Sequence, residues 1–177
     1  MPRIFSLSHL YLVGIGSNQP HPLIGPPCRV VKQAIAALEM EDIDVFAHSA
    51  TIQSSPMGPS SRRFANAAAV VASELDPPAL LTRLHEIESH FGRIRRGQSW
   101  RARVLDLDIL LWSGGMWAED SPMLSIPHPG LHSRGFVLTP AAMVAPDWRD
   151  PMTGLSIRHL QSRFNRPKAL DPTPHRY

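Results

Sequence analysis

A chain of 177 residues, 43% hydrophobic and 19% charged, has the length and balance of one packed soluble domain. Its single cysteine, Cys28, excludes an internal disulfide framework and a multi-cysteine zinc site, and fits a reducing compartment. The net charge of +3 is modest, and no stretch approaches the roughly 18 apolar residues of a membrane span, so a cytoplasmic protein is expected.

Leu10 to Ile15 (LYLVGI) predicts a first strand, closed by Gly16-Ser17-Asn18. A connector rich in proline follows (Pro20, Pro22, Pro26, Pro27), and Val30, Val31, Ala34, Ile35 and Leu38 then mark one helix face. Val45 to Ser54 alternates loosely and predicts a second strand, ended by Ser55-Pro56-Met57-Gly58-Pro59. Phe64 to Ser73 (FANAAAVVAS) predicts a third, built of small residues. Asp76 before Pro77 is a helix start, with the carboxylate as N-cap and the proline fixed in the first turn. Leu80, Leu81, Leu84, Ile87 and Phe91 form the buried stripe of that helix, and Gly92 stops it.

Arginines at 93, 95, 96, 101 and 103 then fall within eleven residues that hold no acid, and a strand over 104–112 follows. Gly114-Gly115 opens an irregular stretch, Met123 to Ile126 predicts a short strand, Arg134 to Ala145 a stretch helical at its end and stopped by Pro146, and 157–164 a last short helix. One domain over 1–164 with a poorly ordered tail over 165–177 is the expected organisation. The order βαββαβ across 10–112 is an α+β, ferredoxin-like pattern: a mainly antiparallel sheet, helices on one face, the other face open to substrate, and a C-terminal extension.

The strand Val104 to Trp112 (VLDLDILLW) puts two carboxylates into one of the most apolar runs of the chain. Side chains two apart on a strand share a face, so Asp106 and Asp108 sit side by side, opposite Leu105, Leu107 and Ile109. Two like charges on a half-buried surface demand a positive partner. Arg–Asp ion pairs would satisfy them. So would a metal-bound polyphosphate, since Mg²⁺ takes one or two carboxylates plus phosphate oxygens and water, while neighbouring guanidinium groups neutralise the remaining charge. The segment Gly14-Ile15-Gly16-Ser17-Asn18 lacks the Lys-Ser/Thr of a Walker A loop and the third glycine of a dinucleotide fingerprint. His128 and His132 are four apart, but Pro129 and Gly130 break any helix between them and no glutamate follows His128, which rejects an H-E-x-x-H zinc site.

Taken together in order, Gly14 to Asn18, Ser55 to Pro59, Phe64-Ala65-Asn66-Ala67, Gly92 to Arg95, Arg103-Val104-Leu105-Asp106-Leu107-Asp108-Ile109-Leu110, Ile126-Pro127-His128-Pro129 and Arg134-Gly135-Phe136-Val137-Leu138 resemble 6-hydroxymethyl-7,8-dihydropterin pyrophosphokinases over roughly residues 10–160. The resemblance implies transfer of the β,γ-pyrophosphoryl group of ATP to the hydroxymethyl oxygen of the pterin, with AMP released, in folate biosynthesis. It implies that Asp106 and Asp108 hold two Mg²⁺ ions and that Arg93, Arg95 and Arg103 bind phosphate. Glu88, Trp100, Ile109, Ser125, His128 and Arg134 would lie on the ATP side. Gly16, Ser55, Met57, Phe64, Asn66 and Phe136 would form the pterin pocket, the two phenylalanines as its aromatic sandwich. The partners implied are these two small molecules, with no nucleic acid and no membrane, in a monomer or a dimer. The sequence departs from the family at Ser54, His85, Ser99, Arg101-Ala102 and Met143. Two rival readings stand beside it: a member that binds pterin or nucleotide without turning it over, and a ferredoxin-like RNA-binding module with an open sheet face.

Overall fold

The computed structural model describes residues 8–39, 42–54, 63–92, 103–121 and 123–167. Alternation along β1 (His9–Ser17) sends Tyr11, Val13 and Ile15 to one side and Leu12 to the other, and both sides are buried. A strand apolar on both faces belongs in the middle of a sheet. After α1 (Pro27–Leu38) come two short strands, β2 (Asp44–His48) and β3 (Ile52–Ser54), then β4 (Phe64–Ser73), α2 (Pro77–His90) and β5 (Asp106–Trp112). β1 pairs antiparallel with β4 on one side and β5 on the other, while β2 and β3 both pair with the far side of β4, giving the order β2-β4-β1-β5.

The expected second strand is divided, and the reason is local. Ser49 gives its N–H to the Ala68 carbonyl at 2.8 Å, and its hydroxyl accepts the Ala68 N–H at 3.0 Å while donating to the Ala50 carbonyl at 2.8 Å. A side chain thereby replaces one rung of the ladder, and β3 resumes the pairing after the bend. The expected N-cap of α2 is present, with Asp76 Oδ1 accepting the Ala79 N–H at 2.9 Å.

One face of the sheet packs on α1 and α2 through Val30, Val31, Leu80 and Leu84. The other face is open only in part, where a wholly open face was expected. Beyond the hairpin of β6 (Trp117–Asp120) and β7 (Met123–Ile126), α3 (Gly135–Val144) and α4 (Ile157–Phe164) lay Leu138, Ala141, Ile157 and Leu160 against Leu12, Ala68 and Leu110. The cause is composition: GFVLTPAAMV has no charged residue, and a helix apolar all round needs cover on more than one side. "Helices on one face" therefore describes α1 and α2 alone. β6 arises inside the stretch read as irregular, because its half-buried Trp117 packs on Trp112, with ring centroids 5.7 Å apart.

Candidate active site

β5 carries the alternation that the sequence implies. Leu107 and Ile109 enter the core under α1 and α2, while Asp106 and Asp108 stay part-exposed on the opposite face. Across the ladder they face Gly16 and Gly14 of β1. Gly16 in turn faces Asn66 of β4. A Cβ at Gly16 would lie 3.6 Å from Asn66 Oδ1 and 3.9 Å from Asp106 Cβ, filling the space that joins the two side chains.

One positive partner, Arg103, and one imidazole, His128, stand beside the aspartates. Arg103 Nη1 donates to Asp106 Oδ2 at 2.5 Å, with 40% of the arginine side chain exposed. His128 Nε2 lies 3.9 Å from Asp108 Oδ2. Its other nitrogen, Nδ1, accepts the Gly130 N–H at 2.9 Å, which leaves the ring hydrogen on Nε2, facing Asp108. The turn carrying His128 is braced from below by Asp150, a fully buried carboxylate that accepts from the Thr153 hydroxyl, the Met152 N–H and His132 Nε2. Burial alone would raise the affinity of Asp150 for a proton, but these donors outweigh it and hold the group below the usual carboxylate range.

Glu88 is fully buried on α2, and its Oε1 accepts the Leu107 N–H at 2.8 Å, on the side of β5 that no strand covers among the described residues. It thus fixes the strand between the two aspartates. A cleft of about 480 Å³ opens here, lined by the charged Arg103, Asp106 and Asp108 with His128, and by the apolar Leu81, Ile109, Met123 and Leu124 beside Ser125. Among the described residues no group of three or more His, Cys, Asp or Glu is arranged to hold a metal; Asp106 and Asp108 are the aspartates that line the cleft.

A second feature lies across β4. Phe64 opens that strand and Phe136 stands in the first turn of α3; their rings are 19° from parallel with centroids 6.5 Å apart. A flat molecule between two rings needs about 7–8 Å, two contacts of roughly 3.5–4.0 Å each, so a small parting of the rings admits one. Beside Phe136, a Cβ on Gly135 would stand 2.6 Å from the ring of Phe164, so glycine lets the end of α4 come close to the start of α3. Asn66, two residues along β4 from Phe64 and nearly buried, donates from Nδ2 to Ser54 Oγ at 2.9 Å, which turns Oδ1 toward Gly16.

The structure thus gathers Gly16, Phe64, Asn66 and Phe136 around one slot, and Glu88, Arg103, Asp106, Asp108, Ile109, Ser125 and His128 around one cleft. Arg134 precedes α3 and lies against Gly130, where a Cβ would come within 2.8 Å of its Nε, rather than in the lining of the cleft. Arg93, Arg95, Trp100, Ser55 and Met57 lie outside the described residues. Sequence reasoning missed the part taken by Leu81, Met123 and Leu124 in the cleft and by Asn18 beside it. The first three carry only an apolar signal, and Asn18 reads as the end of a turn.

The family model described as 7,8-dihydro-6-hydroxymethylpterin-pyrophosphokinase matches residues 12–146. A 2-amino-4-hydroxy-6-hydroxymethyldihydropteridine pyrophosphokinase of Synechocystis sp. is 39% identical over 153 residues, covering 86% of this chain and 74% of that protein. The protein of the same description from Haemophilus influenzae is 33% identical over 164 residues, covering 92% of this chain and 97% of its own length. Among solved structures, Plasmodium falciparum HPPK-DHPS with pteroate superposes with a TM-score of 0.70 at 12% identity, over 89% of this chain and 44% of that one, a likeness of fold.

Proposed function

The chain belongs to the 7,8-dihydro-6-hydroxymethylpterin-pyrophosphokinase family, and from that membership we propose that it transfers pyrophosphate from ATP to 6-hydroxymethyl-7,8-dihydropterin in folate synthesis. The observation that carries this reading is the meeting of two unlike surfaces at Gly16, an aromatic slot ending in Asn66 and a charged cleft beginning at Asp106.

In the reaction the hydroxymethyl oxygen bonds to the β-phosphorus of ATP. The bond from that phosphorus to the α,β-bridging oxygen breaks, AMP leaves with that oxygen, and the alcohol proton passes to solvent. Such a transfer needs placement and charge neutralisation rather than a covalent nucleophile. Phe64 and Phe136 would hold the pterin by its faces, and Asn66 Oδ1 would accept from its edge, with Gly16, Ser55 and Met57 completing that pocket. Arg103, together with Arg93 and Arg95, would bind the phosphates. His128 Nε2–H, Arg134, Ser125, Ile109 and Trp100 would serve the nucleotide side, and Glu88 would keep β5 in place beneath it. Asp106 and Asp108 fit Mg²⁺, which takes one or two carboxylates with phosphate oxygens and water, and which would neutralise charge on the polyphosphate.

The strand order β2-β4-β1-β5 with antiparallel ladders supports reading the core as ferredoxin-like. The rival RNA-binding module has little support, because α3 and α4 cover part of the sheet face it would need and acids line the edge strand. Purified protein with ATP, Mg²⁺ and the reduced pterin alcohol tests the proposal. AMP that forms only when the pterin is present is the expected result. ADP would mark an ordinary kinase, and substrate binding without turnover would mark a binding protein.

A further inference from the structure

The segment Gly16-Ser17-Asn18 closes β1 and has no part in the scheme above beyond Gly16. Yet Asn18 is nearly buried, 5% exposed, and makes two hydrogen bonds to one residue. Its Oδ1 accepts the Arg103 N–H at 2.7 Å, and its own N–H donates to the Arg103 carbonyl at 3.1 Å. The two residues are 85 apart in the chain. Neither bond belongs to a strand, since β1 ends at Ser17 and β5 begins at Asp106. One side chain therefore prolongs the β1–β5 ladder past the ends of both strands.

Arg103 is the residue so held, and its guanidinium reaches Asp106 Oδ2 three positions on. Among the described residues these two bonds hold the Arg103 backbone to the sheet, while 40% of its side chain is exposed. A long, part-exposed arginine keeps much of its rotamer freedom, so an ion pair alone fixes it poorly. Two backbone hydrogen bonds remove the freedom of the chain that carries it. We propose that Asn18 is a positioning residue for pyrophosphoryl transfer: it sets the backbone of Arg103 so that the guanidinium lies over the carboxylate pair. This rests on the reading of Asp106 and Arg103 as the phosphate end of the site.

A shift of about 1 Å in a group that neutralises charge costs up to a hundredfold in rate. Asn18→Ala accordingly lowers kcat between about tenfold and a hundredfold, and leaves pterin affinity, set on the Asn66 side, unchanged. Asn18→Asp keeps the acceptor for the Arg103 N–H and retains more turnover than the alanine variant. The decisive measurement is a double-mutant cycle with Arg103→Ala. If Asn18 acts through Arg103, then Asn18→Ala costs little further in that background; an undiminished loss there overturns the proposal. Hydrogen exchange gives a readout independent of turnover, since the Arg103 amide loses protection in Asn18→Ala and keeps it in Asn18→Asp. Equal protection in wild type and Asn18→Ala also overturns the proposal. Should the alanine variant not fold, Asn18→Ser, whose hydroxyl falls short of the Arg103 amide, carries the same expectations. Failure of the proposed reaction itself has a separate mark: the unaltered protein then makes no pterin-dependent AMP, while the exchange result still decides the clamp.

Discussion

The charged cleft and the aromatic slot sit on either side of Gly16 and are built by opposite means. The cleft takes Arg103, Asp106 and Asp108 from six consecutive positions, where the period of a strand places both acids on one face. The slot takes Phe64 and Asn66 from β4, Ser54 from β3 and Phe136 from α3, and no local pattern links them. Charge that must be neutralised can be written into a short stretch of chain. A flat neutral ligand must be gripped from two sides, which takes elements distant in sequence. Function should therefore fail differently on the two sides: in turnover when the cleft is altered, in affinity for one substrate when the slot is.

The largest effect is expected at the carboxylates. Asp106→Ala and Asp108→Ala each remove a carboxylate from the proposed Mg²⁺ site, and loss of such charge stabilisation is worth about 3–5 kcal/mol in the transition state, roughly 10²–10⁴ in turnover. Stability should change little. The pair between Arg103 and Asp106 is part-exposed and contributes at most about 1 kcal/mol, and removing one of two like charges offsets some of that. Thermal melts beside steady-state rates separate the possibilities. A steep fall in melting temperature with turnover intact would make the aspartates structural and dissolve the contrast.

How far each side could be read from the chain follows the same division. The aspartate face, the helix start at Asp76 and the helix over 157–164 rest on local rules and match the structure. Phe64, Asn66 and Phe136 came from resemblance, because a strand of small residues and an apolar helix give no reason to single them out. The open sheet face held only at the end that carries Gly16 and Asp106, because the expectation ignored what the all-apolar α3 must cover. Asn18 stayed hidden since its meaning lies in Arg103, far along the chain. The break at Ser49 is a hydroxyl standing in for a ladder bond, which strand propensity does not foresee.

Next in size is the polar end of the slot. Asn66→Ala removes the side chain that Ser54 orients toward Gly16, and leaving a bound polar edge without its partner costs about 1–3 kcal/mol. Pterin affinity should fall by that amount while ATP affinity holds. Calorimetry with each ligand in turn measures both, and an equal loss for the two would put Asn66 in the shared framework rather than in one pocket.

The stacking pair should show a smaller loss of the same kind. Phe136→Leu keeps much of the apolar volume and discards one aromatic face, worth about 0.5–1.5 kcal/mol. Pterin affinity should drop several-fold, and Phe136→Tyr, which restores a ring, should recover most of it. A leucine variant that binds pterin as well as the original would mean that the two rings fill space without gripping a ligand.

The smallest effect contrasts the two sides without altering a residue. Arg103, Asp106 and Asp108 are all part-exposed, so their interactions with a charged ligand reach through solvent and are screened by salt. The Debye length shrinks from roughly 10 Å at 0.1 M to about 3 Å at 1 M. A polyphosphate drawn to arginines should therefore bind a few-fold more weakly as salt rises across that range. The slot carries no charge at Phe64, Asn66 or Phe136, and apolar burial is unaffected or slightly favoured at high salt, so pterin affinity should stay level. Titrating each ligand at both salt concentrations gives two slopes. Two equal slopes would mean that charge acts alike on both ligands, and that Gly16 divides the strands without dividing the work. A slope for ATP alone would locate the electrostatic part of recognition on the β5 side, where the sequence first set two acids beside a run of arginines.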